Sequence, residues 1–359
     1  MIDRVYPMIG WQAVVWVGLF VACGPCWAAE AGQVDRIRDS QRLMGVPWTI
    51  TVYAEPAVGR RALAAAFAEV ARLERILSDY DPESELSQLS SAAPMAAAVP
   101  VGDDLWRVLV RAGEIRDMSG GAFDPTVGPL TSLWRQARRA QVLPLPAKLA
   151  AARAAVGADG LRLDADRRTV RLAKPAMRLD LGGIGIGYAA DRALEVIRDH
   201  GLTAAMIDAS GDIVVSGRPP GRPGWRIGIA AVDGGAPAAE GEWLILENAA
   251  VTTSGDAFQA VEIDGTRYSH IVDPRTGLGV PGPAAVTVIA ADCTTADAVA
   301  TAASVLGPAA GPPFVESMPG VAARFIWGQG IVARELRTSR WPAQSDTSAG
   351  RDGGGWGKD

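Results

Sequence analysis

Three groups of residues in this 359-residue chain are of types that do chemistry together. The first is Leu179-Asp-Leu-Gly-Gly-Ile-Gly-Ile-Gly-Tyr-Ala-Ala-Asp191, which packs Gly182, Gly183, Gly185 and Gly187 into one short turn. Glycine has no Cβ, so such a turn can take positive φ and lie against a bulky anion. A short strand is expected before it, and a helix from Tyr188 to Asp199 after it. The start of that helix would aim free N–H groups and a positive dipole end at the anion. The pattern predicts a phosphate site without saying which phosphate.

The second group is Thr295-Ala-Asp-Ala-Val-Ala-Thr301. Asp297 and Thr301 are four apart, hence on one helix face. A carboxylate beside a hydroxyl suits Mg²⁺ or Ca²⁺ and not zinc. Taken alone, a plainer role is preferred: Asp297 complements the helix dipole and Thr301 bonds back to a carbonyl. The third group is Arg267-Tyr-Ser-His-Ile-Val-Asp-Pro-Arg-Thr-Gly277. Of the two histidines, His200 sits at a helix end beside Gly201, where capping explains it. His270 lies on a strand leading into a polar turn, a natural place for a proton acceptor near neutral pH. Without converging residues it would be an ordinary strand histidine. Two further segments carry weaker signals: Phe123-Asp-Pro-Thr-Val-Gly-Pro129 is a turn or a loop covering a nucleotide, and Tyr80 either packs or stacks on a ring.

The elements that must position these groups mix helices with hairpins. Strands are expected at Trp48–Tyr53, Ala204–Asp208, Ile213–Val215, Trp225–Ile229, Trp243–Leu246, Ala285–Ala290 and Ala322–Trp327, the last pairing with Ile331–Glu335. Hairpins are expected over Leu161–Leu172 and over Phe258–Ile263 with Arg267–Val272. Helices are expected over Arg60–Leu77, Asp103–Met118 and, N-capped by Thr295, as far as Leu306. The segment from Gly128 to Val156 is Ala-rich and weakly specified. No βαβ repeat appears, so the fold class is α+β with mostly antiparallel sheets and flanking helices.

Composition narrows the function classes. Hydrophobic residues at 48% provide a sizeable core, and a net charge of −5 without a basic run excludes a nucleic-acid surface. Arg135, Arg138 and Arg139 read as a solvated helix face. The apolar run Met8–Ala22, followed by Cys26-Trp-Ala28, reads as an export signal over residues 1–28. Cys23 also stands in a lipobox-like setting, with Phe20 in its first slot; simple export is the preferred reading. Gly24-Pro25 breaks the run too early for a stable span. Cys293 is then the one body cysteine, expected to be buried and inert, with no disulfide framework or Cys-based metal site. The tail from Ser345 to Asp359 is expected to be disordered.

In order along the chain, these segments resemble the ApbE family of flavin transferases. The matching pieces are Met44-Gly45, Ser78-Asp-Tyr80, Ser84-Glu-Leu-Ser87, Gly121-Ala-Phe-Asp-Pro-Thr-Val-Gly-Pro-Leu130 and Leu179-Asp-Leu-Gly-Gly-Ile184. They continue with Gly187-Tyr-Ala-Ala-Asp191, Gly211-Asp-Ile213, Thr253-Ser-Gly-Asp256, His270-Ile-Val-Asp-Pro-Arg-Thr-Gly277 and Ala296-Asp-Ala-Val-Ala-Thr301. The resemblance implies an ApbE-like, T-fold-like domain over residues 35–340. It also implies Mg²⁺-dependent transfer of FMN from FAD to a Ser or Thr hydroxyl of an exported flavoprotein, releasing AMP, with Ca²⁺ as the alternative ion. By that resemblance Met44, Tyr80, Ala122, Phe123, Asp124, Asp180 and Ile271 would contact FAD. Gly183, Asp297, Ala300 and Thr301 would hold the metal, and His270 with Asp256 would handle the proton. The place of action would be the periplasm, free or lipid-anchored to the outer side of the inner membrane.

The chain departs from the family pattern at Ile186, where a Lys or another polar residue is common, and at Ser90, Ser210 and Ala257. An FAD-binding protein or FAD pyrophosphatase is therefore the nearest alternative. An NAD-dependent oxidoreductase is more distant. Gly185-Ile-Gly187-Tyr-Ala-Ala190 fits the dinucleotide fingerprint, with Asp208 about 20 residues on. However, Arg178 and Asp180 are foreign to a fully buried first strand, and no second βαβ unit follows.

Overall fold

The computed structural model describes residues 34–229, 243–255, 260–282, 284–328 and 333–342. The leader with Cys23 and Cys26, Asp256, Ala257, Phe258, Ile331 and the tail from Ser345 lie outside the described residues.

The chain runs from the hairpin β1 (Asp35–Leu43) and β2 (Val46–Ala54) into α1 (Pro56–Leu77) and α2 (Glu85–Ser91). Next come β3 (Val99–Pro100), α3 (Asp103–Met118), α4 (Gly128–Ala140), α5 (Pro146–Ala154), β4 (Leu161–Asp164) and β5 (Thr169–Leu172). α6 (Gly185–Asp199) leads to β6 (Ala205–Ala209), β7 (Asp212–Ser216), β8 (Trp225–Gly228), β9 (Trp243–Leu246) and β10 (Ala249–Gly255). β11 (Val261–Ile263), β12 (Thr266–Val272), β13 (Gly279–Pro281) and β14 (Ala284–Ala290) precede α7 (Cys293–Glu316). β15 (Ala322–Trp327) and β16 (Arg334–Arg337) close the order.

Among the described residues, one eight-stranded sheet has the order β1-β2-β6-β7-β10-β14-β15-β16. Every pairing in it is antiparallel, as the α+β expectation requires. Side-chain alternation gives the sheet two apolar faces. Trp48, Ile50 and Val52 of β2 are fully buried on the helical face, with the α1 stripe Leu63, Ala66, Phe67, Val70 and Leu73. Glu55 fixes the start of α1 by accepting hydrogen bonds from the Ala57 and Val58 amides, ahead of Pro56 at the first position. On the other face Tyr53, Met206, Val215 and Val251 meet Trp225, Ile227, Leu244 and Leu246 of the β8–β9 hairpin.

Four expectations need correction. No strand precedes the glycine turn: Arg178 makes a single parallel bridge to Val127, and α6 begins at Gly185 and not at Tyr188. The weakly specified segment holds α4 and α5; α4 buries Leu130, Trp134 and Ala137 on one stripe. The cap of α7 is Asp292, whose carboxylate accepts the Thr295 amide at 2.7 Å and the Thr295 hydroxyl at 2.9 Å. Finally, α7 passes Leu306 through a left-handed Gly307 (φ 68°) and continues to Glu316. Its length and composition would allow it to cross a bilayer, yet its first half is the core: Ala296, Ala298, Ala300, Ala302 and Ala303 are fully buried. His200 and Cys293 lie where expected. The His200 ring lies 2.8 Å from the Val196 carbonyl at the end of α6, and Cys293 is buried as a free thiol.

A second, three-stranded sheet (β11-β12-β13) carries His270. It is fastened to α4 by Trp134, whose indole N–H donates to the Ser269 carbonyl at 3.0 Å and whose ring stands edge-on to Tyr268 at 5.5 Å. Trp134 is 1% exposed, so Trp134→Ala removes a full side chain of packing and leaves a buried carbonyl unpaired. It is expected to lower stability by about 3–5 kcal/mol in urea unfolding; a loss below about 1 kcal/mol would show that this anchor is not structural.

Candidate active site

The glycine turn is built by Asp180. Its Oδ1 accepts the Gly182 amide at 2.8 Å, while Oδ2 accepts the Thr131 hydroxyl at 2.6 Å and Arg135 at 3.0 Å. Positive φ, expected from the glycines, is not used: none of the four has it. What the turn uses is the missing side chain. A Cβ on Gly183 would stand 2.9 Å from Thr301 Oγ1 and 3.3 Å from Phe123. A Cβ on Gly187 would stand 2.4 Å from the Cys293 carbonyl oxygen, so any other residue would push α6 away from α7. In that close contact the Gly187 amide donates to Asp297 Oδ2 at 3.1 Å.

Asp297 is 5% exposed, and burial, together with the charge of Asp191, pushes its carboxyl up to about 7. Asp191, one helical turn after Gly187, accepts the Cys293 and Thr294 amides at 2.8 Å each and the Thr294 hydroxyl at 2.5 Å. Burial raises it to about 6. Asp212, at the start of β7, is pushed well above the usual carboxylate range by burial and by the charge of Asp297, while a Thr252 hydroxyl bond opposes the shift. Burial and these three carboxylates likewise push the Cys293 thiol up. Among the described residues no three His, Cys, Asp or Glu side chains converge as metal ligands, so an ion here would need hydroxyl and carbonyl oxygens as well. The Thr301 side chain makes no hydrogen bond among the described residues, so its predicted back-bond to a helix carbonyl is absent.

The segment after Gly121 reaches the same place. Phe123 lies against Gly183, and its amide donates to Ser119 Oγ at 3.1 Å. Ala122 shares a buried cluster with Ile271 of β12 and Val305 of α7, which is one turn after Thr301. Asp124 is turned inward, its Oδ1 accepting the Thr126 amide at 2.8 Å and hydroxyl at 2.7 Å. Half-buried Met44 has its methyl 4.0 Å from the position of a Gly185 Cβ. His270 is half-buried on β12 where pairing with β13 slips, Tyr268–Val272 facing the shorter Gly279–Pro281. Such a bulge re-aims a side chain. The turn that follows is closed by Asp273, which binds Arg275 at 2.9 Å; Arg275 also donates to the Val305 carbonyl at 3.1 Å.

Of the arginines read as a solvated face of α4, Arg139 is exposed, but Arg135 is not solvated. Arg135 joins Asp79 at 2.5 Å and Asp180 at 3.0 Å, and lies 4.4 Å from the centroid of the Tyr80 ring. Burial raises the Asp79 carboxyl, with the charge of Asp180 adding to the effect, while Arg135 opposes it. Tyr80 itself is 72% exposed, a ring available for stacking.

The structure therefore gathers Gly183, Thr301, Phe123, Asp297 and Met44 around the turn, and draws Ala122 and Ile271 onto α7. Ala300 is buried on α7 beside Thr301. Tyr80 and Asp180 are joined through Arg135. Asp256 lies outside the described residues. Asp191, Asp212 and Arg135 were missed as site residues. Asp191 carried a signal, four residues beyond Gly187 on the same helix face, and Asp212 stood in a motif that was given no role.

Comparison with known proteins identifies the family. The ApbE family model matches residues 44–325. A relative from Treponema pallidum (strain Nichols), an FAD:protein FMN transferase, is 32% identical over 338 residues, covering 88% of this chain and 92% of its own. The apo flavinyl transferase ApbE of Pseudomonas stutzeri superposes with a TM-score of 0.74 at 28% identity, covering 86% of this chain and 96% of its own. The flavin transferase ApbE of Vibrio cholerae gives 0.76 at 27%, covering 85% and 98%. The chain belongs to the ApbE family.

Proposed function

We propose that this protein transfers FMN from FAD to a Ser or Thr hydroxyl of an exported flavoprotein, releasing AMP. The observation that carries the reading is the contact of the glycine turn with α7, which puts Gly183 against Thr301 and Gly187 against Asp297. Family membership supplies the class of reaction.

The residues present fit a hard divalent cation. Asp297 is a buried carboxylate whose ionisation is opposed by burial and neighbouring carboxylates, and a cation would relieve both costs. The Gly183 and Ala300 carbonyls and the unengaged Thr301 hydroxyl would complete an all-oxygen set suited to Mg²⁺, with Ca²⁺ as the alternative. When bound, the ion would neutralise charge on the FAD diphosphate. Phe123, Met44 and Tyr80 would hold the dinucleotide, with Ala122, Asp124, Asp180 and Ile271 shaping the walls. His270 would take the proton of the attacking hydroxyl. The hydroxyl oxygen bonds to the FMN phosphorus, the diphosphate P–O bond breaks, and AMP leaves; such a transfer needs mainly positioning and charge stabilisation. Residues 1–28 would export the chain to the periplasm, with Cys23 lipidation as the variant that anchors it.

Incubating the purified protein with FAD, Mg²⁺ and a candidate exported flavoprotein, followed by mass spectrometry, tests the reaction. FMN on a Ser or Thr together with free AMP is expected. AMP without an acceptor would mean an FAD pyrophosphatase, and no AMP at all a binding protein. Ile186, packed half-buried where relatives commonly have a polar side chain, makes that comparison informative.

His270→Ala is expected to lower kcat by about 100-fold or more while FAD affinity stays unchanged. A parent-like rate would remove His270 from the mechanism. Asp297→Ala is expected to abolish transfer and the rise in Tm that Mg²⁺ gives the parent; retention of both would refute the metal assignment.

The raised carboxyl of Asp297 also predicts a pH effect without metal. Between pH 3.8 and about 7 the folded state holds a proton that the unfolded chain has lost, so unfolding free energy falls as pH rises through that window. In EDTA, the parent is expected to lose Tm relative to Asp297→Asn from pH 5 to pH 8. Parallel melting curves for the two proteins would show that Asp297 does not titrate this way.

A further inference from the structure

The turn that ends β12 meets α7 just before a break in that helix. Gly307 is left-handed (φ 68°) and Pro308 has no N–H, so the helical ladder is interrupted beyond Val305. Arg275, in the turn, donates from Nη2 to the Val305 carbonyl at 3.1 Å. The same guanidinium grips both carboxylate oxygens of Asp273, Nε reaching Oδ1 and Nη2 reaching Oδ2 at 2.9 Å each. Beside this polar contact, Ile271 of β12 packs with Val305 and Ala122 in a buried apolar cluster. The contact therefore falls one helical turn after Thr301 on one side, and shortly after His270 on the other.

The turn is closed on itself and seated on its neighbours. The Asp273 amide donates to the Leu278 carbonyl at 2.9 Å, and the Gly277 amide to the Asp273 carbonyl at 2.8 Å. Asp273 Oδ1 also accepts the Arg275 amide at 2.8 Å. A Cβ on Gly277 would stand 2.5 Å from Leu149 of α5 and 2.9 Å from Leu130 of α4, so the turn is pressed against both helices. A guanidinium suits this place because one planar group can hold a carboxylate at two points and still direct an N–H at a carbonyl. A lysine ammonium has no such fixed geometry. The Arg275 side chain is 53% exposed, so its ion pair adds little to stability.

We propose that Arg275 is a positioning residue for the transfer. It sets the strand that bears His270 against the segment of α7 that bears Asp297 and Thr301, so that the proton acceptor and the attacked phosphorus keep their spacing. It acts through His270 and not by contact with either substrate. The inference rests on the transferase reading and adds to it a group outside the reacting centre on which the rate depends. Misplacement by about 1 Å can cost about 100-fold in rate, so a weak contact can still matter to turnover.

The test measures Arg275→Met and Arg275→Lys against the parent, in the full chain with FAD, Mg²⁺ and an acceptor flavoprotein. Arg275→Met is expected to lower kcat by about 30-fold while the Kd for FAD stays within about two-fold of the parent. Arg275→Lys keeps the charge without the planar grip, and is expected to remain at least about ten-fold below the parent. In a His270→Ala background the same Arg275→Met change is expected to cost less than about three-fold, because the group it positions is gone. Melting curves are expected to move by less than about 3 °C for Arg275→Met. Equal losses in the two backgrounds overturn the inference, as does a parent-like rate for Arg275→Met. So does a much larger fall in Tm, which would make the role one of stability, or a weakened Kd for FAD, which would put Arg275 in the nucleotide site. A parent that transfers no FMN would sink the transferase reading and this inference with it; an active parent matched by its Arg275 variants would sink this inference alone.

Discussion

The whole site depends on how closely the start of α6 approaches the start of α7. At Gly187 a backbone amide is the hydrogen-bond donor to a buried carboxylate, and a methyl group in place of its hydrogen would overlap the Cys293 carbonyl. That approach requires small residues on both sides, and α7 provides them as a run of buried alanines. The outcome is a carboxylate held where water does not reach it well and where Asp191 and Asp212 add repulsion. Stability alone gives no reason to build such a place. The proposed cation site does.

Around this contact, polar side chains connect segments far apart in sequence. Asp180 fixes the glycine turn and binds α4 through Thr131 and Arg135; Arg135 in turn reaches Asp79 at the exit of α1. Asp191 and Asp292 together occupy the amides at the beginning of α7. The amides of Cys293, Thr294 and Thr295 are therefore already taken and do not face an anion. At the start of α6, where Ile184 offers no side-chain cap, the Gly185 amide bonds the Leu181 carbonyl and the Gly187 amide bonds Asp297.

The sequence made the architecture legible wherever one face of an element is buried. β2, α3, β9 and β14 follow from periodicity, because one-sided burial imposes it. The glycine turn was legible as a site, though not in its physics: close packing and not left-handed backbone is what it needs. Thr295 looked like a cap because it precedes the apolar run, but Asp292 competes better with a carboxylate that reaches three residues ahead. Arg135 was read as solvated because its partners, Asp79 and Asp180, are distant in sequence and meet it only in the folded chain. Asp212 was missed for the same reason: nothing local shows that β7 places it beside α7.

The left-handed break at Gly307 divides α7 into two rods, and the carbonyl of Val305, just before the break, is held by Arg275 from the turn that ends β12. A guanidinium thus replaces the support that an unbroken helix would draw from its own next turn. The segment bearing Asp297 and Thr301 is clamped at one end by Asp191 and Asp292 and at the other by the histidine strand's own loop. The oxygens proposed to hold the ion and the histidine proposed to take the proton are thereby mounted on one frame, joined by a salt-bridged loop and not only by the length of a helix.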